Sequence, residues 1–234
     1  MGERPYVVLS CSTSIDGCLD DASSQRLMLS NDADFDRVDA TRAGCDAIMV
    51  GARTVRRDNP RLLVRCPERR AQRLARGVPE TPAKVVLTGR GCLDPDAAFF
   101  TCGDAERLVY AATPGYGTAR ERLGARATVL DAGDPVDLGL VLADLYERGV
   151  ERLMVEGGQT MHTQLIGEGL ADELHLSVAP LFVGEAQAPR LLGAGRFPQD
   201  RGRRALLAEV RQIGDVVLLR YGLSERFDRE ALAG

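Results

Sequence analysis

Short apolar runs, separated by helical patterns, recur along this chain of 234 residues and leave it few architectures. They fall at 6–10, 47–50, 84–88, 107–111, 127–130, 152–155, 174–178, 205–212 and 216–221. Several are β-branched and only four to six residues long, which suits strands buried on both faces of a parallel sheet. Helical patterns lie between them at 33–43, 116–123, 138–148 and 161–168. Strand–helix alternation over the first 180 residues predicts an α/β protein with a central, mostly parallel sheet flanked by helices. The last two runs, parted by Ile213-Gly214-Asp215, predict a C-terminal antiparallel hairpin. Asp32 and Asp34 open the first helix and Arg37 and Arg42 lie toward its end, matching the helix dipole. The arginine-rich stretch 65–82, broken by Pro67, Gly77, Pro79 and Pro82, reads as a long surface connection with about one helical turn. With no repeat, low-complexity tract or linker, the expectation is one domain over 1–234, its core at about 5–222 and a tail at 223–234.

Charge and composition narrow the function. A net charge of −4 argues against nucleic acid as a partner, since phosphate backbones need a basic surface. No apolar run approaches the roughly 20 residues of a spanning helix. The chain enters its first strand without a signal-peptide pattern, so a cytoplasmic protein is expected. The six cysteines are scattered without a C-x-x-C pair, and His162 and His175 are isolated. No zinc site is therefore predicted, and the H-x-E with a later P-C-x-x-C of nucleobase deaminases is absent.

Four strand ends carry polar or glycine-rich sequence, and in open α/β sheets ligands gather at the carboxyl ends of strands. Val155-Glu156-Gly157-Gly158-Gln159-Thr160 is the most informative. Two glycines ahead of a helix let a phosphate approach backbone N–H groups at the positive end of the helix dipole. A carboxylate there, Glu156, calls for a cationic or hydrogen-bond-donating part of a second ligand. Ser12-Thr13-Ser14-Ile15-Asp16-Gly17 follows the first strand and is either a ligand edge or a plain Asp-Gly turn. In the segment 50–62, Gly51 permits a tight exit and Thr54 can offer its hydroxyl and N–H to a phosphate. Asp58-Asn59-Pro60 is a turn that aims a carboxylate at a cleft, or only a turn beside a solvated face of Arg53, Arg56 and Arg57. Gly89-Arg90 follows the 84–88 run; Arg90 is either a surface arginine or a partner for an adenosine 2′-phosphate. No Gly-x-Gly-x-x-Gly follows the first strand, no P-loop is present, and neither histidine has a nucleophile elbow nearby. His162 reads as a packing or surface residue.

Taken in order, these segments resemble the reductase domain of riboflavin biosynthesis, the C-terminal half of a bifunctional deaminase–reductase. The resemblance runs from Ser10 to about Tyr221 and rests on an ordered series. Its members are Ser14-Ile15-Asp16-Gly17, Arg42 with Asp46-Ala47-Ile48-Met49-Val50-Gly51, and Thr54 through Leu62. Val155-Glu156-Gly157-Gly158 and Gly169-Leu170-Ala171-Asp172-Glu173-Leu174, leading into Ala179-Pro180-Leu181-Phe182-Val183-Gly184, complete it. The resemblance implies a dihydrofolate-reductase-like fold, a homodimer and hydride transfer from NADPH. The acceptor would be the ribosylamino group of a pyrimidine 5′-phosphate, opened to a ribityl chain. With no deaminase motif, a stand-alone reductase is expected.

By position, the resemblance assigns NADPH contacts to Ser12, Thr54, Gly89 and the turn from Gly157 and Gly158 through Gln159, Thr160 and Met161. Arg90 is added from its chemistry. Met28 stands where relatives often set an aromatic residue against the cofactor. On the substrate side, Arg42 and Arg65 match phosphate-holding arginines, Leu62 matches a loop contact, and Asp58 and Glu156 match two acids near the pyrimidine and reacting ribose. Two positions depart from the family pattern: Ser10 replaces a usual lysine, and Arg26 replaces a serine that helps hold the phosphate. These departures leave open a same-fold reductase of another pterin, pyrimidine or imine, and an NADPH-binding protein without catalysis.

Overall fold

All nine expected strands form, with bounds that shift by a few residues at most. The structure, a computed structural model, describes residues 3–23, 25 and 27–228. In chain order the elements are β1 (Tyr6–Ser14), α1 (Asp32–Ala43), β2 (Ala47–Gly51), α2 (Ala52–Asp58), α3 (Pro67–Ala75), β3 (Ala83–Thr88), α4 (Ala98–Thr101) and β4 (Arg107–Ala111). They continue with α5 (Thr113–Leu123), β5 (Thr128–Asp131), α6 (Leu138–Glu147), β6 (Arg152–Val155), α7 (Gln159–Gly167), β7 (Glu173–Ala179), β8 (Leu206–Ile213) and β9 (Val216–Gly222). They build two units, one mainly from Asp39–Met154, the other from Tyr6–Val38 and the chain from Val155 onward.

In the first unit the strands run β5-β4-β3-β2-β6, and the β2/β3, β3/β4 and β4/β5 ladders are parallel. Ile48, Val50, Val86 and Val109 pack with Val55 of α2, Leu93, Phe99, Phe100 and Leu123 of α5 into a buried core. β2 and β3 are apolar along nearly their whole length because helices or loops cover both faces. Lys84 is the exception. It is fully buried, and Nζ donates to the carbonyls of Phe99 and Cys102. Burial pulls its pKa down to about 8.

Two stretches read as turn or surface connection are helical. The residues after Gly51 form α2, and 67–75, expected to hold about one turn, form α3. Pro67 is tolerated at the first turn of α3, where an N–H has no helical partner anyway. Arg73 explains why an arginine-rich helix packs at all. Its guanidinium is buried and donates to the carbonyls of Ala43, Cys45 and Pro79, with its stem serving as core.

The second unit has strand order β1-β7-β9-β8, with β1/β7 parallel and β7/β9 and β8/β9 antiparallel. The expected hairpin turns through Gly214 at φ +64°, which a side chain would strain. One face of β7 is polar. Ser177 Oγ donates to Asp34 at 2.9 Å, and Asp34 pairs with Arg37 Nε at 2.7 Å. Asp34 is thus more than a dipole partner, being fully buried and ion-paired. Farther along, Glu173 Oε1 takes hydrogen bonds from Arg220 Nη2 at 2.5 Å and from His175 Nε2 at 2.7 Å. Asp172 accepts from the N–H of Val7 and from Ser224 Oγ, tying the start of β1 to the chain beyond β9. The Asp172-Glu173 motif is therefore structural.

Candidate active site

The first unit presents two of the predicted strand ends. β2 passes through Gly51, the N-cap of α2, and Thr54 lies half-buried in that helix's first turn. Asp58 closes α2, and Asn59 caps it in the left-handed region at φ 42°, where Asn is better tolerated than most residues. Asn59 Oδ1 also accepts the N–H of Ala98 at 2.6 Å, which fixes the turn. Leu62 is left-handed too, at φ 49°, a strained conformation for leucine. Its side chain lies in the core, so the backbone is what this residue can offer a ligand. Arg42 Nη1 donates to the Leu63 carbonyl at 3.1 Å, and Arg65 extends from the same segment into solvent. The fold thus brings Arg42, Leu62 and Arg65 together.

At the end of β3, Thr88 Oγ1 accepts the N–H of Gly91 at 3.1 Å and closes a turn that exposes Gly89 and Arg90. This turn lies against the start of α5. A Cβ on Gly115 would fall 2.5 Å from the Gly89 carbonyl oxygen, and one on Gly91, which is also at φ +69°, 2.3 Å from the Gly115 oxygen. No Cβ fits at either position, while at Gly89 nothing lies within 4 Å. The α5 start at Thr113 is earlier than the 116 expected, because Pro114 and Gly115 hid it. Proline in a first helical turn is the signal that would have found it.

The second unit holds the acid–glycine turn. β6 ends at Val155, Gly158 is the N-cap of α7, and Gln159 and Thr160 belong to the first turn of the helix. The two glycines differ in purpose. A Cβ on Gly157 would meet Met161 Cβ at 2.9 Å and its sulfur at 3.2 Å, whereas at Gly158 nothing lies within 4 Å. Gly157 lets α7 pack close, and Gly158 leaves bare backbone open to a ligand. Such an open approach at a helix start fits a pyrophosphate. The Gln159 side chain is turned to another task, accepting the N–H of Arg190 at 3.2 Å. Thr163 Oγ1 accepts the N–H of Gly193 at 2.8 Å, so α7 holds the 190–193 segment from two positions.

Ser12 Oγ hydrogen-bonds Ser30 Oγ at 2.7 Å, and Met28 is exposed. Asp16, read from sequence as part of a ligand edge or of an Asp-Gly turn, serves as a staple to a distant segment. It accepts from Ser14 Oγ and from the N–H groups of Gly184 and Val183, and these bonds hold its carboxyl well below the usual carboxylate range. Glu156 is half-buried, and Arg26 lies outside the described residues. His162 is fully buried on α7, and burial drives its pKa down to about 4, so it stays neutral and serves packing. Burial raises the thiols of Cys11 and Cys45 to about 12, which removes them as nucleophiles. Among the described residues no cluster of His, Cys, Asp or Glu could hold a metal ion, and no helix is long and apolar enough to cross a membrane.

Parallel strands whose carboxyl ends open into glycine turns and helix starts define an α/β protein of the kind that gathers ligands at that edge of its sheet. Solved structures share this fold. RibD from Acinetobacter baumannii superposes with a TM-score of 0.78 at 24% identity, over 95% of this chain and 59% of that one. A pyrimidine reductase-like protein from Corynebacterium diphtheriae also reaches 0.78, at 22% identity, covering 94% and 92%. The fold is thus the dihydrofolate-reductase-like one of RibD reductase domains. The chain belongs to the RibD C-terminal domain family, which matches residues 5–219. Among curated relatives it is 33% identical, over 97% of its own length and the whole of the other, to a 2,5-diamino-6-ribosylamino-4(3H)-pyrimidinone 5′-phosphate reductase of Archaeoglobus fulgidus. A Methanothermobacter thermautotrophicus protein of the same name is 33% identical over 93% and 98%. Against the riboflavin biosynthesis protein RibD of Bacillus amyloliquefaciens, identity is 29% over 92% of this chain and 56% of that protein.

Proposed function

We propose that this protein is an NADPH-dependent reductase that opens the ribosylamino group of a pyrimidine 5′-phosphate to a ribitylamino group, a step of riboflavin biosynthesis. The observation that carries the reading is full-length similarity, at 33% identity, to reductases named for the diaminopyrimidinone phosphate. For that reason the substrate proposed is the diaminopyrimidinone rather than the amino-uracil. NADPH, when bound, supplies the hydride to C1′ of the ring-opened imine or its tautomer.

The chain's own groups bind and orient. Gly158 leaves its N–H and those of the first turn of α7 open to a pyrophosphate, and Gly89 leaves similar room beside Arg90. Thr54 offers a hydroxyl in the first turn of α2, while Ser12 and Met28 are further cofactor contacts. Arg42 and Arg65 hold the substrate 5′-phosphate, and Arg26 adds a cation to that role. Asp58 and Glu156 accept hydrogen bonds from the amino groups of the pyrimidine and stabilise positive character on the way to hydride transfer. Holding both reactants in one geometry supplies most of the acceleration, up to roughly 7–11 kcal/mol. The enzyme works in the cytoplasm as a homodimer. Exposed Leu206, Leu207 and Val210 on the edge strand β8 support the second point.

Oxidation of NADPH, followed as loss of nicotinamide absorbance with the diaminopyrimidinone ribosyl phosphate, tests the reading. Binding of NADPH without oxidation across a panel of imines would sink it. Asp58→Asn and Glu156→Gln, at saturating NADPH, should each lower turnover at least tenfold, as loss of a charged hydrogen bond in a transition state does. Near wild-type turnover in both would remove the acids from the chemistry.

A further inference from the structure

Asp39 lies on α1, one helical turn before Arg42, and is only 4% exposed. Its Oδ1 accepts the N–H of Arg65 at 2.5 Å. Its Oδ2 accepts the N–H of Cys66 at 3.2 Å and Arg69 Nη1 at 3.0 Å. Residues three apart share a helix face, so Asp39 and Arg42 grip the same short segment, Asp39 at Arg65 and Cys66 and Arg42 at the Leu63 carbonyl. A carboxylate that accepts two consecutive N–H groups fixes both the position and the orientation of a peptide plane, and charged acceptors make the stronger bonds. The same carboxylate stands at the start of α3, whose N-cap Cys66 makes no capping bond through its own side chain.

Burying a carboxylate is costly unless it is fully paired, and a surface loop needs no such anchor in order to be a loop. The other end of the segment is held as firmly, by left-handed Asn59 and Leu62. A backbone fixed at both ends by strain and a buried charge indicates that the side chain it carries has to be aimed. That side chain is Arg65.

We propose that Asp39 is a positioning residue for the substrate phosphate, holding the backbone of Arg65 so that its guanidinium and that of Arg42 meet one phosphate. The proposal rests on the functional reading above and deepens it. The test uses steady-state kinetics at saturating NADPH with the ribosylaminopyrimidine phosphate and with the same compound lacking its 5′-phosphate. Asp39→Ala should raise KM for the phosphorylated substrate about tenfold and leave kcat, KM for NADPH and KM for the dephosphorylated compound within about twofold. Asp39→Asn, which keeps one acceptor, should fall between. In an Arg65→Ala background, Asp39→Ala should add less than about twofold, because both changes remove one interaction.

A merely structural role would spread the loss over kcat and NADPH, and its effect would add in full to that of Arg65→Ala. Either result overturns the proposal, as does an unchanged KM in Asp39→Ala with Arg65→Ala impaired. If Asp39→Ala does not fold, Asp39→Asn with a thermal unfolding control carries the same comparison. If Arg65→Ala has no effect on KM, the phosphate role of Arg65 falls and that of Asp39 with it. If the wild type oxidises no NADPH with this substrate, the functional reading fails first, and the wild type alone shows it.

Discussion

Replacing each glycine of the acid–glycine turn by alanine separates binding from packing within a single dipeptide. At Gly158 the backbone lies at φ −88°, which alanine adopts freely, and nothing stands within 4 Å of a new Cβ. Alanine gains about 0.4–1 kcal/mol by restricting the unfolded chain and loses about as much as a poorer N-cap. The two offset, and for a chain of this size about 1 kcal/mol moves Tm by only 2–4 °C. Gly158→Ala should therefore melt within about 3 °C of wild type. Its methyl would occupy the open approach to the helix start, so NADPH should bind at least tenfold more weakly, a loss of about 1.4 kcal/mol or more. At Gly157 the sign is reversed. A Cβ there sits 2.9 Å from Met161 Cβ, which moves only if α7 moves, and overpacking of this kind costs about 1–3 kcal/mol. Gly157→Ala should thus lower Tm by several degrees. Calorimetric unfolding and NADPH titration by fluorescence give both quantities. If Gly158→Ala binds NADPH as tightly as wild type at unchanged Tm, the open backbone is not the pyrophosphate site.

Two further tests concern charge. Arg90→Ala should weaken NADPH about tenfold or more with little effect on NADH, since a guanidinium pairs with the 2′-phosphate that NADH lacks; equal losses for both would refute that role. The second concerns Glu173, whose carboxyl burial alone would raise. Hydrogen bonds from His175 and Arg220 outweigh burial and hold it at about 2 against an ordinary 4.5. Burial lowers the His175 pKa, so Arg220, paired with Glu173 at 2.5 Å, is the partner that carries its charge at every pH of interest. A folded pKa below the unfolded one means that the unfolded chain binds the extra proton. The stabilisation, about 3 kcal/mol, is complete above pH 4.5 and lost as pH falls through about 2. Urea melts of wild type and Glu173→Gln should differ most at neutral pH and converge below pH 4.5. A gap independent of pH would show that the ion pair is not its source.

Element type was legible where pattern and burial agree. β2, β3, β4 and β6 are apolar because both faces are covered, so a short unbroken run marked each one. Legibility failed where a polar residue is buried for a reason lying elsewhere in the chain. α3 reads as a surface connection with about one helical turn because arginine is usually exposed, and only the Ala43, Cys45 and Pro79 carbonyls make Arg73 a core residue. α2 was hidden by its length of seven residues and by the turn signal Asp58-Asn59-Pro60 at its end. The site shows the same division. Glu156, Gly157 and Gly158 stood out as an acid and two glycines at a strand end, but their different purposes depend on where Met161 sits.

The order of strands and helices, the polar and glycine-rich sequence at the strand ends and the family are properties of the sequence itself. Each is written in local periodicity, in turn residues and in motifs a few residues long. Tertiary structure alone decided which polar groups are structural and which face outward. Asp39 is 26 residues from the Arg65 N–H it accepts, and Asp16 is 168 from the Gly184 N–H it holds. Hydrogen bonds over such separations leave no local period. Their partners become known only when the chain is folded, and that is why Asp39 and Gln159 took on roles their neighbourhoods in sequence do not announce.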